Sequence, residues 1–179
     1  MSRLRPAQGA ALLLGILALS GCGMFSSSSS KQAEACPSAV ILRPLAQTAV
    51  FGPAVERRPD NVAFYGILSE ANIKCEYTGN ALRINLEVVV AGERGPAGKG
   101  DSVDLPYFVA VTGPDQTVLA RNPFAVRIAF EGNQKRSAVT DHYEEVIPLD
   151  GRKGSDLNVL LGFQQSPEVV DFYKHFRGR

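Results

Sequence analysis

In ALRINLEVVV, Leu82, Ile84, Leu86, Val88 and Val90 alternate with Arg83, Asn85 and Glu87. Successive side chains of an extended chain leave opposite faces, so this run reads as a strand with one face in a core and the other in water. The alternation recurs in NIKCEY through Ile73, Cys75 and Tyr77, in NPFAVRIAF through Phe124, Val126, Ile128 and Phe130, and in DLNVLLGF through Leu157, Val159, Leu161 and Phe163. LPYFVAV, Leu105 to Val111, is apolar on both faces and reads as a central strand. Thr117 to Ala120 and Tyr143 to Ile147 are further strands, and Val40 to Leu42, bracketed by Pro37 and Pro44, is a first edge strand. Turn signals such as Gly113-Pro114-Asp115 and Glu131-Gly132-Asn133 separate them. Seven or eight short strands predict an all-β domain. The expected form is an antiparallel β-sandwich of immunoglobulin-like layout, with a small closed barrel as the competing architecture.

The C-terminus changes period. In SPEVVDFYKHFRGR, Ser166 can cap a helix and Pro167 suits its first turn. Val169, Phe172, Tyr173 and Phe176 then follow helical spacing, and Lys174, His175 and Arg177 sit where the helix dipole favours positive charge. One short amphipathic helix is expected. It either closes an end of the sandwich or docks a partner.

The N-terminus carries the clearest biological signal. Arg3 and Arg5 precede an uncharged, mostly apolar run from Gly9 to Leu19, too short to span a bilayer and suited to a signal-peptide core. Leu19-Ser20-Gly21-Cys22 resembles the bacterial lipobox. That resemblance implies cleavage before Cys22 and acylation of its thiol with diacylglycerol and palmitate-type chains. An ordinary signal peptide with Cys22 as a stray thiol is the alternative. The residues from Gly23 to Ala35 are polar and serine-rich, a composition that cannot bury a core and acts as a tether. The expected organisation is a signal peptide over residues 1–21, a lipidated Cys22 and tether over 22–35, and a domain over 36–179. Gly23 after the cysteine favours the outer membrane over the inner by resemblance to the enterobacterial sorting rule, so the expected location is the periplasmic face of the outer membrane.

Of 19 basic residues, cleavage removes Arg3 and Arg5 and leaves 18 acidic ones in slight excess. Nothing in that balance points to nucleic acid. With Cys22 assigned to lipid, Cys36 and Cys75 form an even pair in an oxidising compartment and read as a disulfide; two free thiols are the alternative.

Motifs that carry chemistry are sparse. GERGPAGKG, Gly92 to Gly100, hints at a collagen triplet and at a phosphate loop, but fails the length of one and the spacing of the other. It reads as a mobile loop that can contact a partner. His142 and Glu144 fall on one strand face, with Asp141, Tyr143 and Glu145 on the other. One His and one Glu are short of a metal site, Glu144 and Glu145 point apart, and no Gly-x-Ser-x-Gly elbow occurs. No catalytic residue, metal ligand or cofactor is assigned.

LPYFVAV, Ile147-Pro148-Leu149 and Leu161-Gly162-Phe163-Gln164, with Cys36-Pro37 and Cys75 upstream, are similar to a group of small uncharacterised bacterial envelope lipoproteins, mainly of alphaproteobacteria. The shared motifs are strand-core and turn sequences, and the resemblance implies no activity. The expected function is a non-enzymatic, lipid-anchored interaction or assembly module with an envelope protein partner. A periplasmic binder of a small molecule, lipid or glycan is the alternative, and a hydrolase a third class. Gly95, Lys99, Phe172 and Phe176 are the candidate partner contacts.

Overall fold

The computed structural model describes residues 35–54 and 56–176. The expected signal peptide, Cys22 and the tether up to residue 34 lie outside the described residues. Eight strands follow one another: β1 (Ser38–Ile41), β2 (Gln47–Phe51), β3 (Val62–Thr78), β4 (Ala81–Arg94), β5 (Ser102–Thr112), β6 (Val118–Ala129), β7 (Arg136–Pro148) and β8 (Asn158–Phe163). A helix, α1 (Pro167–His175), closes the chain. The strands form two four-stranded sheets, ordered β1-β8-β5-β6 and β2-β3-β4-β7. The molecule is therefore an all-β sandwich with one short C-terminal helix, and the closed barrel is set aside. Every pairing is antiparallel except β1 with β8 at one sheet edge.

Alternation decides which faces meet. Leu82, Ile84, Leu86, Val88 and Val90 of β4 pack against Leu105, Tyr107, Val109 and Val111 of β5 and Val159, Leu161 and Phe163 of β8, all essentially withdrawn from water. At roughly 1.5–3 kcal/mol for each large apolar side chain buried, this layer dominates the stability of the fold. The second apolar face of LPYFVAV has its own cover. Arg121 stacks over Phe108 at 4.9 Å, and the Leu45 side chain lies beside Gly162 on the neighbouring strand.

Several strands are longer than their alternation suggests. β3 starts at Val62, well before the expected Ile73, and carries a bulge between Leu68 and Glu70 that shifts its inward phase. Phe64, Gly66 and Leu68 face inward before the bulge; Ala71, Ile73 and Cys75 do so after it. β6 joins the two segments expected on either side of Pro123. As the edge strand of its sheet, β6 has one unpaired side, where a missing N–H costs no ladder bond. β2 had no alternation to reveal it.

Helix α1 forms where expected, with the Ser166 hydroxyl accepting from the Val169 N–H. Its apolar stripe covers the outer face of β2 and β3 rather than an end of the sandwich. Phe172 is buried with Ala49 and Val62, flanked by Phe51, Tyr65 and Tyr173.

The disulfide between Cys36 and Cys75 is present, with Cα atoms 5.6 Å apart. Cys36 leads into β1 of one sheet and Cys75 lies in β3 of the other, so the bridge joins the two layers. It closes a loop with a sequence separation of 39. The chain-entropy relation gives about 4 kcal/mol for such a loop, or a melting temperature lower by about 10 °C for a domain of this size. Calorimetry with and without reductant measures it; an unchanged midpoint on verified reduction would contradict the bridge's role.

Candidate functional site

Among the described residues, three places in particular bring polar groups of several elements together. The first lies between the edge strands β6 and β7, where the two sheets leave their sides open. The inward residues of β7 here are Asp141, Tyr143 and Glu145, as alternation from His142 requires. The Tyr107 hydroxyl, from β5, donates to Asp141 Oδ2 at 2.9 Å. The Tyr143 hydroxyl donates to Glu145 Oε2 at 2.7 Å, and Asn122 Nδ2 donates to both Tyr143 and Glu145. Phe124 stacks on Tyr107 and meets Tyr143 edge-on, with ring centroids 5.3 Å apart in each case. Tyr107, Asp141, Asn122, Tyr143 and Glu145 are thus hydrogen-bonded in two groups, Tyr107 with Asp141 and Asn122 with Tyr143 and Glu145. The arrangement fills the gap between β6 and β7 and leaves Asp141 and Glu145 half-buried.

Burial, reinforced by the bond to Asp141, pushes the Tyr107 phenol well above the usual tyrosine range. Burial, reinforced by Glu145, does the same for Tyr143. Burial raises Tyr173, packed beside Phe172, to about 12, with Tyr65 adding to the shift. In the unfolded chain these phenols ionise near pH 10. Above that pH the unfolded state holds fewer protons than the folded state, so stability falls as pH rises. The midpoint of thermal unfolding is expected to decline steadily between about pH 10 and 12, and Tyr107→Phe with Tyr143→Phe should flatten the decline. A midpoint that holds level over that window would overturn the assignment of buried, protonated phenols.

The second place is the loop from Gly95 to Asp101. It does not swing freely. The Gly95 N–H donates to the Ala63 carbonyl at 2.8 Å and the Ala97 N–H to the Val62 carbonyl at 3.0 Å, seating the loop on the start of β3. A Cβ on Gly95 would run into the Val62 carbonyl, and one on Gly98 into that of Ala63. Arg94 ties the loop to the β6–β7 turn. Its side chain donates to the carbonyls of Gly100, Gln134 and Phe130, pairs with Asp101 and stacks 5.0 Å from the Phe130 ring. Gly95 and Gly98 of GERGPAGKG are thus required by close backbone approach, which a repeat-based reading misses. Gly95→Ala should cost about 1–3 kcal/mol in urea denaturation, whereas Lys99→Ala, at an exposed position, should be neutral. Equal midpoints for the Gly95 variant and the parent would show that the loop is not seated as described.

Phe172 is 4% exposed and belongs to the cluster under α1, where it packs with Ala49 and Val62. Phe176 is 43% exposed. His175 pairs with Asp171 within the helix and lies far along the chain from His142. Among the described residues no group of three or more His, Cys, Asp or Glu converges as metal ligands.

The third place was only partly visible in the sequence, where His142 and Glu144 share one strand face, because its members lie on three strands. On the outer face of the second sheet, strand register aligns Asn72 with Glu87 and Glu87 with His142, and aligns Lys74 with Asn85 and Asn85 with Glu144. A third row holds Glu76, Arg83 and Val146. Arg83 pairs with Glu144 diagonally between rows. The first two rows line an open depression of about 280 Å³.

Compared with known proteins, the chain matches no family model, and no curated protein or solved structure matches it significantly.

Proposed function

We propose that this chain is a lipid-anchored, non-enzymatic interaction module of the bacterial envelope, fixed by acylated Cys22 and engaging an envelope protein through the outer face of β3, β4 and β7. The observation that supports it is the ordered grid of Asn72, Lys74, Asn85, Glu87, His142 and Glu144. Donors and acceptors of both signs stand on paired strands, where backbone hydrogen bonds hold them in place. A rigid array binds at a smaller ordering cost than a loop does. Its mixed charge selects a partner by complementarity. The Ser-rich tether lets the domain reach that partner from the membrane.

The test uses a photo-crosslinker in cells carrying the full chain. Placed at Asn85, it should capture a second envelope protein. At Ala125, exposed on the outer face of the other sheet, it should capture none. Reversing charge with Glu87→Lys and His142→Glu should lower the Asn85 yield about tenfold, with the melting temperature checked in parallel. Cys22→Ser should abolish lipid labelling and release the protein from membranes. A folded, anchored chain whose Asn85 probe captures nothing, or a Cys22→Ser chain that keeps its lipid, would refute the reading.

A further inference from the structure

The two outer faces of the sandwich differ in chemistry. The face of β2, β3, β4 and β7 carries Glu70, Lys74, Glu76, Arg83, Glu87 and Glu144. The face of β1, β8, β5 and β6 is mostly apolar. The core takes Leu105, Tyr107 and Val109 of β5, so Pro106, Phe108 and Ala110 point outward. Strand register carries this surface to both edges of the sheet. One row runs from Val40 through Leu160 and Ala110 to Arg121. In the next rows Phe108 pairs with Pro123, and Pro106 with Ala125. Val40 is 42% exposed, and Pro106, Pro123 and Ala125 are also exposed. Polar groups keep to the two ends of the face, where Ser38 bonds to Asn158 and Arg127 pairs with Asp104. Helix α1 covers the other sheet. A continuous apolar surface of this kind marks a site of contact with protein or membrane.

The path of the chain and the charge of the face both point to membrane. The chain from Cys22 enters the described residues at Ala35, is fastened at Cys36, and runs directly into β1, an edge strand of this sheet. A serine-rich chain of about 13 residues, as between Cys22 and Cys36, spans on the order of 20 Å. Acyl chains on Cys22 thus hold the β1 edge near the bilayer, at an effective concentration where about millimolar affinity is enough for contact. Arg121, stacked over Phe108, and Arg43, two residues before Leu45, are exposed and form no ion pair among the described residues. Cations bordering an apolar surface match the phosphates above an acyl layer. A second copy laid on this face would bring the same cations. The one carboxylate residue in these four strands, Asp104, is already paired with Arg127.

We infer that the outer face of β1, β8, β5 and β6 is a membrane-contact surface. Val40, Pro106, Phe108 and Ala125 meet the boundary between headgroups and acyl chains, and Arg43 and Arg121 meet the phosphates of anionic lipid. The inference rests on the lipid-anchored reading of Cys22 and adds an orientation to it. The charged outer face of β3, β4 and β7 is turned away from the bilayer, open to a partner.

The test uses the acylated protein carrying a photo-crosslinker at Ala125 or at Asn85. Each form is reconstituted in vesicles of phosphatidylethanolamine and phosphatidylglycerol in equal parts. Mass spectrometry should find lipid adducts at position 125 and few at position 85. Exchanging phosphatidylglycerol for phosphatidylcholine should lower the yield at position 125 about fivefold, as should Arg43→Gln with Arg121→Gln. Both arginines are exposed, so the melting temperature should stay constant. Protein that does not float with the vesicles would overturn the anchor on which the inference rests. Protein that floats but gives lipid adducts at neither position, or equally at both, would overturn the inference and leave the anchor standing. So would a crosslink from position 125 to a second copy or, in cells, to another protein. A yield at position 125 indifferent to both charge changes would overturn the assignment to anionic lipid.

Discussion

Five inward side chains of β4, each at or near zero exposure, bind the two sheets together. They meet β5 and β8 of the facing sheet, and the other elements are arranged around that contact. β3 pairs with β4 from Phe64 to Thr78, so its bulge is needed to keep both halves inward-facing on the same layer. β6 and β7 become edges, and the gap between them is filled by Tyr107, Asn122, Phe124, Tyr143 and two carboxylates. Inward charges on edge strands also discourage further strand addition there.

What could be read in the sequence divides along physical lines. β4, β8 and α1 were legible because their periodicity is local: the hydrophobic face is written in the spacing of Leu82 to Val90, Leu157 to Phe163, and Val169 to Phe176. The Cys36–Cys75 bridge was expected from the even pair left once Cys22 is set aside for lipid. The start of β3 was hidden because VAFYGIL is apolar on both faces: one covers the core, and α1 covers the other. A contact made by a distant helix leaves no period in the strand it covers. Gly95 and Gly98 show the opposite failure, since a visible repeat diverts attention from a cause that lies in the carbonyls of Val62 and Ala63.

The polar sites were harder still to foresee. Asp141, Tyr143 and Glu145 were placed on one face by alternation, but their consumption by Tyr107 and Asn122 depends on strands that precede them by about 20 to 35 residues. The outer-face grid depends on register, which the hairpin turn at Gly79-Asn80 sets: Gly79 takes a φ of 60°, and Thr78 pairs with Ala81. A slip by one residue would turn one of the two strands over, sending either Lys74 or Glu87 inward, and dismantle both the core and the surface.

The parallel pairing of β1 with β8 joins the first and last described strands, with the Ser38 hydroxyl donating to the Asn158 side chain across a sequence separation of 120. A chain that emerges N-terminus first therefore carries β1 without its neighbour until almost all the rest has followed. Cys75 emerges far sooner. Once oxidised to Cys36, it holds the β1 segment against β3 and shortens the search that the last strand must complete. In this order of events the bridge acts first as a temporary clasp for an unfinished sheet, and β8 closes the sheet at the end.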